Sequence, residues 1–214
     1  MLPPSELKLI RSFEHGGTIT CPFSTVSSAF YHHATANPRA LALRDLSCSP
    51  PRDLSYRELA HRAQCLAERL RDLGVGPGQR VPLVVKRGVD MVVGIWAILS
   101  AGAQYVPLDG GVVPDSTVRL VVEQSGGCAV ALCVASTEHR LVGVREGLRA
   151  VRIEDNSRGP SEGASMGVFM DLAKPESGCY VIYTSGEFLT LFFSFFLLHP
   201  FCYLLHLQLN VLTD

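Results

Sequence analysis

Charge is what this sequence has least of. Only 18% of its 214 residues are Asp, Glu, Lys or Arg, against ~25% in ordinary soluble domains. Neither sign is in excess, since 19 basic and 20 acidic residues leave a formal net charge of −1. Phosphate contacts need a basic surplus, so a dedicated nucleic-acid binder is excluded. The deficit is local. Residues 187–214 contain no Lys, Arg or Gly and only two charges, Glu187 and Asp214, yet they hold six of the ten Phe. A basic stretch leading into an apolar run is missing from Met1–Leu7, so no signal peptide is expected. Cys-x-x-C is also absent, and the seven cysteines are odd in number. A disulfide framework is therefore not expected. His32 and His33 are adjacent rather than four apart, and no Cys or His pairs recur at zinc-ligand spacing, so no metal site is expected. The expectation is a reduced, cytoplasmic protein that uses its thiols as small core hydrophobes.

What is present is 47% hydrophobic residues, which excludes disorder over most of the length. Residues 1–23, with Gly16-Gly17 and Cys21-Pro22, read as irregular. A helix is expected from Ser24 or Thr25 to Asn37-Pro38. A short strand follows at Ala40–Leu43, then a turn over Ser47–Asp53 with Pro50-Pro51. Ser55 and Glu58 form a capping box, after which Leu59, Ala63, Leu66, Leu70 and Leu73 recur at spacings of three and four. That pattern predicts an amphipathic helix stopped by Gly74. Arg80–Val85 reads as a strand, with Pro82 tolerable at an edge or near its start. Val89–Ser100 reads as a buried helix ended by Gly102, and Gln104–Leu108 as the next strand. A third helix is expected over Pro114–Gln124, an apolar strand over Cys128–Val134, a loop over 155–178 and a strand over Gly178–Tyr183. Helix and strand alternate throughout, which predicts an α/β fold with a largely parallel sheet.

Three segments carry a family likeness. Leu54-Ser-Tyr-Arg-Glu-Leu59, Leu99-Ser-Ala-Gly-Ala-Gln-Tyr-Val-Pro-Leu-Asp109 and Tyr180-Val-Ile-Tyr-Thr-Ser-Gly186 stand in this order. Together they resemble the first three core motifs of adenylate-forming enzymes (AMP-dependent synthetases and ligases), above all the adenylation domain of nonribosomal peptide synthetases. Leu73–Val81 is similar to the family's link from the first motif's helix to the next strand. The likeness covers residues 24–186. After Asp109, Pro114, Arg119 and Leu120 fit the family, while its Tyr-Pro pair is absent.

The resemblance implies the N-terminal part of the family's large α/β domain, with an incomplete sheet. It implies a ligase that uses ATP and Mg²⁺ to activate an amino or hydroxy acid, and that then loads a carrier protein's phosphopantetheine thiol. Thr184, Ser185 and Gly186 are the candidate site residues. Small hydroxyls and Gly at a strand end offer hydroxyl and backbone donors to phosphate. In the family this tripeptide opens a longer loop ending in Pro-Lys-Gly. No catalytic residue and no metal ligand is assigned. The family's acid pocket, its ribose- and Mg²⁺-binding acids and its catalytic lysine lie beyond the match, so the chain by itself is expected not to adenylate.

The likeness breaks after Gly186. Residues 187–214 read first as a translated intron, because Gly186-Glu-Phe188 can be encoded GGT-GAG-TTT, which contains a splice-donor pattern. The alternative is a tail-anchored or partner-binding module. Residues 188–209 are 22 long and 16 are apolar, and a helix of that length at ~1.5 Å per residue spans a ~30 Å hydrocarbon core. His199-Pro200, His206, Gln208 and the lack of flanking Lys or Arg weigh against a membrane role. A tail packed on the domain is the remaining reading. Genomic DNA is expected to carry the donor across codons 186–188, with the missing loop encoded downstream. A mature transcript that retains codons 187–214 would refute the intron.

Overall fold

Ser55 explains where the best-patterned helix begins. Its hydroxyl accepts from the Glu58 amide at 3.3 Å, and the Glu58 carboxylate accepts from the Ser55 amide at 2.8 Å. The expected capping box is thus formed, and α3 runs over Tyr56–Asp72. Leu59, Ala63, Leu66 and Leu70 on its apolar stripe are all buried. This is a computed structural model, and it describes residues 3–14, 21–156 and 169–183.

Before α3 come α1 (Pro4–Glu14), α2 (Val26–Ala36), β1 (Leu41–Asp45) and β2 (Arg52–Ser55). After it come β3 (Arg80–Val85), α4 (Val89–Ser100), β4 (Gln104–Asp109), α5 (Asp115–Gln124), β5 (Val130–Cys133) and β6 (Arg149–Arg152), with 3₁₀ turns at Glu138–Leu141 and Glu154–Asn156. Strands β4, β3, β5 and β6 lie in that order, every pairing parallel. The expected α/β fold with a parallel sheet is therefore present. β1 and β2 form a separate antiparallel hairpin beside it.

Helices cover both faces of the sheet. Leu83 and Val85 of β3 join α3 and α4 in one core layer, while Val84 joins Val118, Val121 and Val122 of α5 in the other. Successive strand residues point to opposite faces, so a strand buried on both sides must be apolar throughout. From Val81 to Val85 it is. Gly94 lets α4 lie close on this surface. A Cβ there would come within 2.7 Å of Leu83 Cδ1 and 3.1 Å of Ile153 Cδ1.

Three expectations are revised, and two features are newly placed. Residues 4–14, read as irregular, are helical. Pro4 opens α1 where a missing amide costs nothing, and Glu6 and Arg11 sit at the ends that suit the helix dipole. Its Leu7, Ile10 and Phe13 are exposed, so no burial pattern marked the helix out. Arg52 and Asp53, read as turn, belong to β2, held by an Arg44–Asp53 ion pair at 2.6 Å. β3 is a central strand despite Pro82. Its ladder to β5 begins at Leu83, one residue past the proline, so the missing amide falls beside the start of that ladder. β6 was not anticipated, because Arg149 and Arg152 hide its two apolar residues. Gly178–Tyr183 joins the sheet more lightly than expected, through a single parallel bridge from Tyr180 to Tyr105.

Among the described residues no helix is long and apolar enough to cross a membrane. Residues 187–214, and with them the intron, anchor and packed-tail readings, lie outside the described residues.

The capping box and core give two tests. Ser55→Ala should lower unfolding free energy by about 1 kcal/mol and Leu66→Ala by about 2–5 kcal/mol, read from urea midpoints. Hydrogen bonds from the Ser55 amide and hydroxyl hold the Glu58 carboxyl below its ordinary range. A depressed folded value gives stability that is complete above the unfolded value of about 4.3 and is lost as pH falls through the folded one. Glu58→Gln should therefore be less stable than wild type at pH 7, with the gap closing under acid conditions.

Candidate functional site

Open parallel sheets bind ligands beyond the carboxyl ends of their strands, where successive connections turn to opposite sides. Here that point lies between β3 and β5, because β3 leads through α4 to β4 on one side and β5 leads to β6 on the other. The residues leaving the strands at this edge are Lys86–Gly88, Gly110–Pro114, Val134–Thr137 and Ile153–Asp155. A hollow of about 230 Å³ sits there, lined by Asp45, Lys86, Arg87, Asp90, Ser136 and Glu154 among others. A second, of about 250 Å³, lies between β3, β4 and α4 over Leu83, Val85, Met91 and Pro107, with Arg87 and Asp109 at its rim.

The loops at this edge are tied down by side chains. The buried Thr137 hydroxyl donates to Val84 O at 2.6 Å and accepts from Val134 N at 3.1 Å. Arg140 donates to Asp115 at 2.6 Å, to Gly110 O at 2.9 Å and to Val113 O. Glu154 accepts from Ala135 N at 2.7 Å. Asp45 reaches across from β1 and accepts from Val89 N, the first amide of α4, at 3.1 Å. Hydrogen bonds from the Ser47 hydroxyl, the Ser47 amide and Val89 hold the Asp45 carboxyl below its ordinary range. Asp90 is shifted the other way, raised by burial and then by the neighbouring Glu154.

A helix N-terminus is a natural anion site. At α4 that place is filled by Asp45, and Asp115 in the first turn of α5 is paired with Arg140. The first amide of α4 is therefore already taken by a carboxylate, and the first-turn carboxylate of α5 already holds a cation. Among the described residues no group of three or more His, Cys, Asp or Glu could hold a metal.

The third motif reaches this region from outside the sheet. Cys179 O accepts from Tyr105 N at 3.2 Å, and Val181 N donates to Tyr105 O at 3.0 Å. The segment therefore runs parallel to β4 toward the carboxyl edge. Tyr183 packs half-buried against the layer containing Val84 and Leu108. The candidate residues Thr184, Ser185 and Gly186 follow directly and lie outside the described residues.

The thiols belong to the structure. Burial pushes Cys133 and Cys179 up to about 12 and raises Cys128. His61 stands 3.8 Å from the Cys65 sulfur, but burial, then Glu68, raises that thiol as well. None of these four is shifted toward the thiolate that a nucleophile needs. Lys86, Arg87, Asp45 and Glu154 were missed as site residues in the sequence. The one available signal was the basic pair Lys86-Arg87 between a strand and a helix.

Residues 30–186 match the AMP-binding enzyme family. The chain belongs to this family. It is 39% identical over 186 residues to adenylate-forming reductase 03009 of Coprinopsis cinerea, which covers 86% of this chain and 17% of the reductase. It is 32% identical over 170 residues to nonribosomal peptide synthetase 5 of Gibberella zeae, covering 77% of this chain and 1% of the synthetase. A crystal structure of the nonribosomal peptide synthetase FmoA3 with AMPPNP bound superposes with a TM-score of 0.67 at 25% identity, over 83% of this chain and 18% of the other. The chain is thus an adenylate-forming family member that spans about a sixth of the reductase's length. The family match ends at residue 186, where the composition changes.

Thr137→Val keeps the shape of the side chain and leaves Val84 O and Val134 N without their partner. Burying such groups unpaired costs about 1–3 kcal/mol, which should appear as a lowered unfolding midpoint with the same far-ultraviolet circular dichroism.

Proposed function

We propose that this chain is the N-terminal part of an ATP-dependent carboxylate-activating domain, with Thr184, Ser185 and Gly186 as the start of its phosphate loop. One observation carries the reading: the Tyr105–Tyr180 bridge directs the chain parallel to β4, so residue 184 follows an edge strand that heads for the carboxyl side of the sheet. The family match through residue 186 and the AMPPNP-bound relative support it. In the reaction, a carboxylate oxygen of an amino or hydroxy acid bonds to the α-phosphorus of ATP. The bond from that phosphorus to the bridging oxygen breaks and pyrophosphate leaves; Mg²⁺, when bound, would neutralise the charge of the polyphosphate. The phosphopantetheine thiol of a carrier protein in the cytoplasm then loses its proton and its sulfur bonds to the acyl carbon, while the bond from that carbon to the phosphate oxygen breaks and AMP leaves. Residues 24–186 form the partial domain, and residues 187–214 are intron-derived.

This chain does not complete the reaction by itself. Half a phosphate loop lacks the lysine that would hold the triphosphate. The purified full chain should therefore show no ATP–pyrophosphate exchange with a panel of amino acids. Exchange above background would overturn the inactivity. MgATP binding, where measurable, should weaken on Thr184→Ala or Ser185→Ala, and binding that both replacements leave unchanged would overturn the site. Carbonate extraction of membrane fractions adds a third arm, in which retention in the pellet would favour a tail anchor.

A further inference from the structure

β4 ends on a half-covered surface. In the parallel pair of β3 and β4, Leu83 stands level with Pro107 and Val85 with Asp109. Residues level with one another in paired strands point to the same face of a sheet. That face carries α4, since Leu83 and Val85 pack in the layer with α3 and α4. Leu83 and Val85 are buried, while Pro107 and Asp109 are only half-buried. The helix therefore covers β3 fully and leaves the end of β4 open. Between them lies the hollow of about 250 Å³, floored by Leu83, Val85, Met91 and Pro107. Pockets for drug-sized ligands run to ~300–1,000 Å³, so this one suits a smaller molecule. An apolar floor calls for an apolar body on the ligand.

The rim decides the head group. Lys86 and Arg87 leave β3 at this point, and both are exposed. Asp109 Oδ1 accepts from Gly111 N at 2.9 Å. A Cβ on Gly111 would lie 3.3 Å from that oxygen and 3.3 Å from Lys86 Cε. The lysine and the aspartate thus flank one glycine and offset each other's charge. Arg87 has no such counterpart. Among the described residues it forms no hydrogen bond or ion pair. Asp45 and Glu154, on the side of the neighbouring hollow, give their carboxylates to Val89 N at 3.1 Å and Ala135 N at 2.7 Å. A guanidinium at the mouth of an apolar hollow matches a planar carboxylate, which it can hold through two parallel N–H donors.

We propose that this hollow is a binding site for a small apolar monocarboxylate, its hydrocarbon body on Leu83, Val85, Met91 and Pro107 and its carboxylate on the Arg87 guanidinium. Binding is reversible, and no covalent bond changes. Asp109 stands across the mouth and opposes the anion, while Lys86 moderates that opposition. Every residue in the site lies in or beside β3, β4 and α4, so it is independent of the function proposed for Thr184–Gly186.

Nuclear magnetic resonance titration of the full chain with hexanoate tests the site. Shifts should saturate and concentrate at the Leu83, Val85 and Met91 methyl groups. Hexanamide has the same length and no charge, and it should bind about tenfold more weakly. Butanoate, shorter by two methylenes, should also lose about tenfold. Arg87→Gln should weaken hexanoate about tenfold and leave hexanamide unchanged. Arg87 is exposed and holds no other group, and circular dichroism checks that the variant folds. Asp109→Asn keeps an acceptor for Gly111 N and removes the opposing charge, so it should tighten hexanoate about two- to fivefold. Inorganic phosphate at the same concentration should not displace hexanoate, and displacement would overturn the apolar half of the site. Equal affinity for hexanoate and hexanamide in wild type, an unchanged affinity in Arg87→Gln, or shifts that fall outside the hollow would each overturn the proposal.

Discussion

The structure depends on β3 being enclosed on both faces. Leu83 and Val84 are neighbours in the chain, both wholly buried, and they belong to opposite core layers. A parallel strand has to be covered twice because its connections place helices on both sides. α3 and α4 must therefore supply one apolar face, and α5 the other. The leucine stripe of α3, the near-continuous apolar run of α4 and the valines of α5 meet that demand. Gly94 follows from the same constraint, since a helix can settle onto Leu83 only where it carries no side chain.

Enclosure at the centre leaves the chemistry to the ends. With the interior of the sheet filled by side chains, polar groups gather where the strands stop. Lys86, Arg87, Asp90 and Glu154 stand there around one hollow. Asp45 crosses from the hairpin to satisfy α4, which removes the most obvious anion site from that edge. What is left is a rigid rim, with Thr137 and Arg140 holding the loops, and an edge strand that leads past it. Residues 170–172, tied to α3 by Gln64 and to α4 by Ser100, lead into that strand.

How much of this could be read from the chain depended on how far each element reports its own surroundings. Ser55 and Glu58 are three residues apart and bond to each other, so α3 was legible to the residue. The same holds for α4, whose apolar run spans its full length. Pro82 left β3 open between an edge place and a strand with the proline near its start, because the cost of the proline depends on where a neighbouring strand begins its ladder, which no local pattern records. β6 was invisible because Arg152 at its end looks outward to Glu138, and two apolar residues are too few to show a period. α1 carried only weak signals, since its apolar residues stay exposed. At the candidate site, the Thr184–Gly186 motif was legible as text. Asp45 and Glu154 were not, because each acts on a residue more than eighteen positions away.

The sequence by itself determined the class of fold, the main helices, the family and the seam at Gly186. These follow from periodicity, caps, ordered motifs and composition, all of which are local or additive along the chain. Only the tertiary structure decided that β3 is central, that an aspartate from the hairpin reaches the first amide of α4, and that residues 170–172 are tied to α3 and α4. Those outcomes turn on which distant groups come within hydrogen-bonding reach once the sheet is closed between its helices. Nothing in the linear order of the residues encodes that distance.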